Sequence, residues 1–196
     1  VYYGEDELGG ETYRLSGRLS IRPSTRFQFS ATPNYLRAIS PRQYVTEFAG
    51  GPPETYGSRY VFARIDQSTF LIQLRANYTI GPDLTLEFYG EPFAASGRYH
   101  GFGELAQSRT FRLRDYGAGG TTIARDTTGD YIVTDNGGAD TLVISNPDFN
   151  VLSFRSNAVL RWEWRPGSTL YLVWAQDRFR FAPTGRLVGF GDLGDS

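Results

Sequence analysis

The 196-residue chain carries 20 basic and 21 acidic residues, a formal net charge of −1, one histidine and no cysteine. That balance leaves no basic footprint for nucleic acid, and the missing thiols exclude disulfide frameworks, thiolate metal sites and cysteine nucleophiles. The longest unbroken apolar run, Leu170–Ala175, is far short of the roughly 20 residues of a membrane helix, which excludes a helical span but not one built from alternating strands.

Period-2 patterning begins at 12–22, where Tyr13, Leu15, Leu19 and Ile21 alternate with Thr12, Arg14, Ser16, Arg18, Ser20 and Arg22. A turn at Pro23-Ser24-Thr25 leads into Phe27, Phe29, Ala31 and Tyr35, alternating with Gln28, Ser30, Thr32 and Asn34. That is a long hairpin with one apolar and one polar face. The pattern returns at 70–80, where Phe70, Ile72, Leu74, Ala76, Tyr78 and Ile80 oppose Gln73, Arg75, Asn77 and Thr79. After a turn at 81–83, Leu84, Leu86 and Phe88 oppose Thr85, Glu87, Tyr89 and Glu91. Upstream, Val61, Ala63 and Ile65 fall on the other parity from Phe70, so the spacing predicts a bulge or a change of environment near 66–69. A third hairpin runs from Leu152, Phe154, Ala158, Leu160, Trp162 and Trp164 through a turn at 166–168 into Leu170, Leu172 and Trp174. Its phase blurs after Gln176, where Phe179 and Phe181 take the opposite parity.

Short turns therefore alternate with long joining segments, about 37–57 and 101–148, rich in Gly, Pro, Asp, Asn and Thr. The segment 120–145 holds a candidate small hairpin, TTIARD and DYIVTD around Thr128-Gly129. Pro33 and Pro92 lie inside strand-like runs and mark expected bulges, edges or the end of an embedded part. Long strands, short turns at one end and long loops at the other describe an antiparallel transmembrane β-barrel, or part of one, in an outer membrane. Six long strands are fewer than the eight of the smallest single-chain barrels. The C-terminal stretch GRLVGFGDLGDS also lacks a closing alternating strand, so the expectation is one barrel region from the C-terminal part of a longer chain, with its final segment missing.

The polar parity predicts the lumen: Arg14, Arg18, Arg75, Arg155 and Arg161, with Glu87, Glu91 and Glu163, are expected to face inward as guanidinium–carboxylate pairs bridging neighbouring strands. Read as a pore, the same arginines form an anion-selective ladder. The apolar parity predicts the lipid face, with Phe27, Phe29, Tyr78, Phe88, Trp162, Trp164 and Trp174 as aromatic contacts. Trp162 and Trp164, just before the 166–168 turn, are the best girdle candidates.

The stretches 59–105, RYVFARIDQSTFLIQLRANYTIGPDLTLEFYGEPFAASGRYHGFGEL, and 146–178, NPDFNVLSFRSNAVLRWEWRPGSTLYLVWAQDR, resemble the C-terminal region of a widespread, uncharacterised bacterial family. Its members are similar to outer-membrane barrels preceded by a family-9-type carbohydrate-binding domain. The most specific part is 155–174. The resemblance implies an outer-membrane location in a Gram-negative-type bacterium, a pore, transport or surface-assembly role, contact with outer-membrane lipid, and carbohydrate or other protein subunits as further partners. It carries over no catalytic residue.

Chemistry is sparse. His100 stands alone in SGRYHGFGE, and an outer-membrane hydrolase would have to rest on it. Asp126, Asp130, Asp135 and Asp140, with Asn136, cluster in one long segment. Such oxygen density suits Ca²⁺, but DTTGDYIVTDNGGAD lacks EF-hand spacing, and turns use Asp, Asn and Gly for their own geometry. Tyr56, Tyr60, Tyr99 and Phe102 are placed near loop ends, as girdle or sugar-stacking aromatics. No cofactor is expected, and a non-conducting anchor or scaffold is the alternative to a pore.

Overall fold

A computed structural model describes residues 1–186, apart from the Asn136 side chain. The expected alternation becomes twelve antiparallel strands: β1 (Tyr2–Glu5), β2 (Glu11–Ser16), β3 (Leu19–Ser24), β4 (Phe27–Ala49), β5 (Ser58–Gly81), β6 (Leu84–Leu105), β7 (Leu113–Asp115), β8 (Thr122–Arg125), β9 (Tyr131–Asp135), β10 (Asp140–Ile144), β11 (Phe149–Arg165) and β12 (Ser168–Ala182). One large sheet runs β1-β2-β4-β5-β6-β11-β12, with β3 also on β4 and β7 on β6. A second sheet, β10-β9-β8, forms a cap. The protein is all-β, but the large sheet does not close among the described residues. Its terminal strands β1 and β12 pair only with β2 and β11, so a closed barrel is not what these strands make by themselves. The stretch from which a missing final segment is expected lies almost wholly outside the described residues.

Strand takes up most of 37–57 and part of 101–148, which corrects in part the loops expected there. β4 continues to Ala49 and β6 to Leu105. Their turn-forming residues are absorbed by irregular ladders, with register shifts at Ser40/Gln43 and Tyr44/Thr46. On β6, Gly101 sits at φ 62 beside the shift that sets Phe62 against Gly103 and Arg64 against His100, the bulge geometry in which glycine avoids a Cβ clash. The expected small hairpin is present as β8 and β9, and β10 adds a third strand to it.

The short turns lie at 25–26, 82–83 and 166–167, so Pro23 belongs to β3 rather than to a turn. Pro166 with Gly167 at φ 81 supplies the residues a type II turn requires at its two central positions. Pro33 and Pro92 stay inside strands because each places its missing N–H where pairing lapses. Opposite Pro33, the edge strand is broken between β2 and β3, and Gly17 N–H donates to the Pro33 carbonyl at 3.1 Å. Beside Pro92, the β5–β6 ladder lapses between Leu71↔Phe93 and Leu74↔Gly90.

The phase slip at 66–69 is a change of environment without a bulge. β4–β5 pairing runs in one register from Phe27↔Tyr78 to Ser40↔Ile65. On the turn side, the face carrying Phe70 to Ile80 is apolar. On the cap side, the opposite face carries Val61, Ala63 and Ile65, all buried. There the cap packs Tyr116, Val133 and Ile144 against Val61, Ala63 and Phe102. Phe179 and Phe181 share that second face through Ser153 and Val151, but they are 70% and 56% exposed, so packing under the cap does not account for the change of phase on β12.

Candidate functional site

Register assigns every predicted wall residue to a face. Phe27, Tyr78, Leu86, Leu160 and Leu172 form one row across five strands. Two positions along lies the row Phe29, Ala76, Phe88, Ala158 and Trp174. Trp162 pairs with Leu84 and Leu170 on this band face, and its ring meets Trp164 edge-on at 6.4 Å between centroids. All seven predicted aromatics therefore share the band face. Nothing covers much of it: Trp164 is 59% exposed and Leu172 64%.

The eight predicted charges share the other face. Arg14 pairs with Leu36, Arg75 with Ser30 and Tyr89, and Glu87 with Asn77 and Val159. Glu91 stands opposite Arg155, which stands opposite Asp177. Arg161 lies across from Thr85 and Glu163 from Thr169. Arg18, at the break between β2 and β3, joins Ser30, Thr32, Gln73 and Arg75 around a cleft of about 300 Å³. No carboxylate lines that cleft, so it presents two guanidinium groups and neutral hydrogen-bonding side chains to a solute. A larger open cleft, about 680 Å³, has Phe93, Phe179, Val151 and Leu71 on one side and Glu91, Arg155 and Asp177 on the other.

The charges pair differently from expectation. Arg155 bridges strands to Asp177 at 3.4 Å rather than to Glu91. Arg161 meets Glu163 at 3.4 Å along its own strand, and Arg75 lies 5.5 Å from the centre of the Tyr89 ring. Glu91 accepts from Gln73 at 3.2 Å and from the Tyr89 hydroxyl. Both acids stand directly opposite Arg155, but Gln73 and Tyr89 already hold Glu91, which leaves Asp177 as the partner. Such exposed pairs contribute little to stability, roughly 0–1 kcal/mol each.

A denser polar cluster joins the cap to the large sheet, and sequence reasoning missed it. Arg59 on β5 donates to Glu104 on β6 at 2.5 Å and to Asp135 on β9 at 3.2 Å. Arg114 donates to Glu104 at 3.0 Å and to both Asp135 oxygens at 2.6 and 2.8 Å. The Tyr116 hydroxyl donates to Glu104 at 3.0 Å, and burial followed by the Glu104 charge pushes its pKa well above the ordinary tyrosine range. Two arginines satisfy two carboxylates, an arrangement that fastens the cap. The available signal was parity: Arg59 shares spacing with the buried Val61, Ala63 and Ile65.

The aspartates do not converge on a cation site, which corrects the Ca²⁺ candidate. Asp126 Oδ1 accepts from Thr128 N, Thr128 Oγ1 and Asp130 N at 2.7–2.9 Å. Asp130 accepts from Asn146 N at 2.8 Å. Asp135 lies at the far end of β9 in the arginine cluster and pairs with Asp140 across the β9–β10 ladder. No group of three metal-ligating side chains is present among the described residues. The hydrogen bonds from Thr128 hold the Asp126 carboxyl below its ordinary value of 3.8. Its contribution to the β8–β9 turn is thus present above that pH and lost as pH falls through the lowered folded-state value. The protection of the Thr128 and Asp130 amides against exchange, relative to their intrinsic rates, should fall on acidification below pH 3.8, and Asp126→Asn should remove that dependence.

His100 is exposed on the band face opposite Arg64. Tyr99 and Phe102 belong to the cap junction, where Phe102 packs on Tyr131 at 4.4 Å between centroids. That corrects their placement as girdle or sugar-stacking residues. Tyr56 is 81% exposed in the loop after β4. No protein-family model, curated protein or solved structure matches this chain.

Proposed function

We propose that this chain forms part of the wall of a bacterial outer-membrane β-barrel, with its polar face lining an aqueous lumen that favours anions. The observation that carries this reading is the stagger of the turns beneath an uncovered apolar band. Measured from the row Phe27, Tyr78, Leu86, Leu160, Leu172, the turns at 25–26, 82–83 and 166–167 lie progressively farther away. The drop is about five residues across four strand spacings, which tilts the strands about 40° from the normal to the line of turns. Outer-membrane barrels tilt by roughly 35–45°. On β5 the band from Phe70 to Ile80 covers roughly 33 Å of strand, or about 25 Å after tilt, the height of the apolar belt of such barrels. Phe70 at the upper end of this band is buried, whereas Tyr78, Ile80 and the band-face residues of β11 and β12 near the turns are exposed; an exposed apolar face calls for a partner, and lipid suits the height of the band.

On this reading the chain belongs with the bacterial family whose barrels follow a family-9-type carbohydrate-binding domain. Its polar face serves uptake, export or surface assembly. Detergent-extracted full-length protein should migrate differently in gels before and after boiling; a water-soluble monomer with no such shift would sink the proposal. In planar bilayers the wild type should conduct with anion preference. Arg75→Gln, which removes one of the two guanidinium groups of the small cleft, should lower the anion-to-cation permeability ratio severalfold.

One observation favours a closed alternative. The cap packs on the same face as the proposed lumen, over Val61, Ala63 and Phe102. A heat-modifiable protein with no conductance would identify a non-conducting anchor.

A further inference from the structure

Beyond the apolar band, the same face turns basic. On β4 the band-face residue after Tyr35 is Arg37, paired with Ser68 and Tyr13. On β6 it is Arg98 after Ser96, paired with Asp66. On β12 Arg178 and Arg180 follow Trp174 and Gln176, opposite Phe154 and Leu152. Arg98, Arg178 and Arg180 are exposed, and Arg37 Nε is enclosed without a hydrogen-bond partner. The carboxylates on this face include Asp66, with Arg64 Nε at 3.5 Å from it, and Glu11, opposite Ile39 two positions from Arg37, with Glu5 opposite Glu11. Arg178 and Arg180 on β12 lie nearer the turn end than Arg37 on β4, in keeping with the stagger of the turns, and Arg98 on β6 lies two positions beyond the row of Arg37. Arg37, Arg178 and Arg180 therefore trace the upper rim of the tilted band, with Arg98 just outside it.

We propose that Arg37, Arg98, Arg178 and Arg180 form a headgroup-binding belt for anionic phosphate lipids on the cap side of the membrane. This rests on the barrel-wall reading. At that rim the aliphatic stem of an arginine lies along hydrocarbon while its charged end reaches the headgroup layer. The guanidinium fork matches phosphate oxygens bidentately and is always charged. Arginine supplies the entire positive side-chain charge of this chain, which has no lysine.

The test uses full-length protein with vesicles of neutral phosphatidylcholine and vesicles containing phosphatidylglycerol, read by flotation and heat-modifiable migration. A basic residue near an anionic surface is worth roughly fivefold in binding, so wild type should prefer the phosphatidylglycerol vesicles at least tenfold at low salt. The combined Arg37→Gln, Arg98→Gln, Arg178→Gln and Arg180→Gln variant should insert into neutral vesicles normally and lose that preference. The exposed pair Arg178→Gln and Arg180→Gln should lose part of it even if the fourfold variant fails to fold. A cap-loop control, Arg109→Gln with Arg112→Gln, should retain it. Insertion with equal affinity for both vesicles, or loss of preference in the control, overturns the belt and leaves the barrel wall standing. Insertion into neither overturns the barrel wall and the belt with it.

Discussion

Glu104→Ala is expected to destabilise the cap by about 3–5 kcal/mol, because it strips a buried guanidinium of its main partner. Arg59 and Glu104 are only 8% and 7% exposed at their side chains, so water cannot replace the lost contact. Asp135 would remain 3.2 Å from Arg59, but it is already shared with Arg114 at 2.6 Å. Tyr116 would lose its acceptor as well. Limited proteolysis of the 106–112 segment should accelerate by two orders of magnitude or more if cleavage follows cap opening. The paired change Arg59→Met with Glu104→Leu should recover most of the loss, since an apolar pair costs far less than an orphaned charge. Single-variant stability within 1 kcal/mol of wild type would show that the cluster does not fasten the cap. Tyr116 adds an alkaline signature. Its raised pKa means that its contribution is complete below 10, the ordinary tyrosine value, and declines as pH rises above it.

Leu74→Arg should cost about 2–4 kcal/mol in lipid vesicles, the penalty for a cation near the middle of a lipid-facing belt. Gln73→Arg, one residue away, should cost little. Leu74 pairs with Ala31 and Gly90 on the band face, whereas Gln73 lines the small polar cleft. Adjacent positions on one strand thus differ only in which face they occupy. Urea unfolding followed through Trp162, Trp164 and Trp174 reads both variants, because all three rings lie on the band. Equal penalties would remove the distinction between the two faces and the membrane reading with it.

Most of the large sheet was legible because its turn-side half obeys one rule. From Phe27 to Tyr35 and from Ile72 to Phe88, apart from the turn at 82–83, apolar and polar residues alternate, and period 2 gives strands directly. The cap-side half was harder for a physical reason. The apolar residues move to the opposite face there, so Val61, Ala63, Ile65, Phe93, Phe179 and Phe181 look like lost phase when each strand is read alone. Register shows the exchange as one shared between neighbouring strands, with Phe93, Ser153 and Phe179 directly opposite one another. Gly, Pro and Thr in 37–49 and 101–105 also mimic loops, although bulges accommodate them within strands. The Arg59–Glu104–Asp135–Arg114 cluster was illegible for another reason: its members are up to 76 positions apart, and only the folded cap brings them together.

The length of β5 has a mechanical consequence. This strand runs from Ser58 to Gly81, roughly 80 Å at about 3.3 Å per residue, and its pairing keeps one register through the level where the two faces exchange character, shifting nearer the cap at Ser40/Gln43, Tyr44/Thr46 and Phe62/Arg64. The part beyond Ser68 is therefore a lever roughly 30 Å long, clamped at its base. A change of only 5° in the tilt of the wall would swing its tip by about 3 Å. For a wall seated in a bilayer as proposed, a change of tilt is thereby converted into displacement at the Arg59 end, where the cap is fastened.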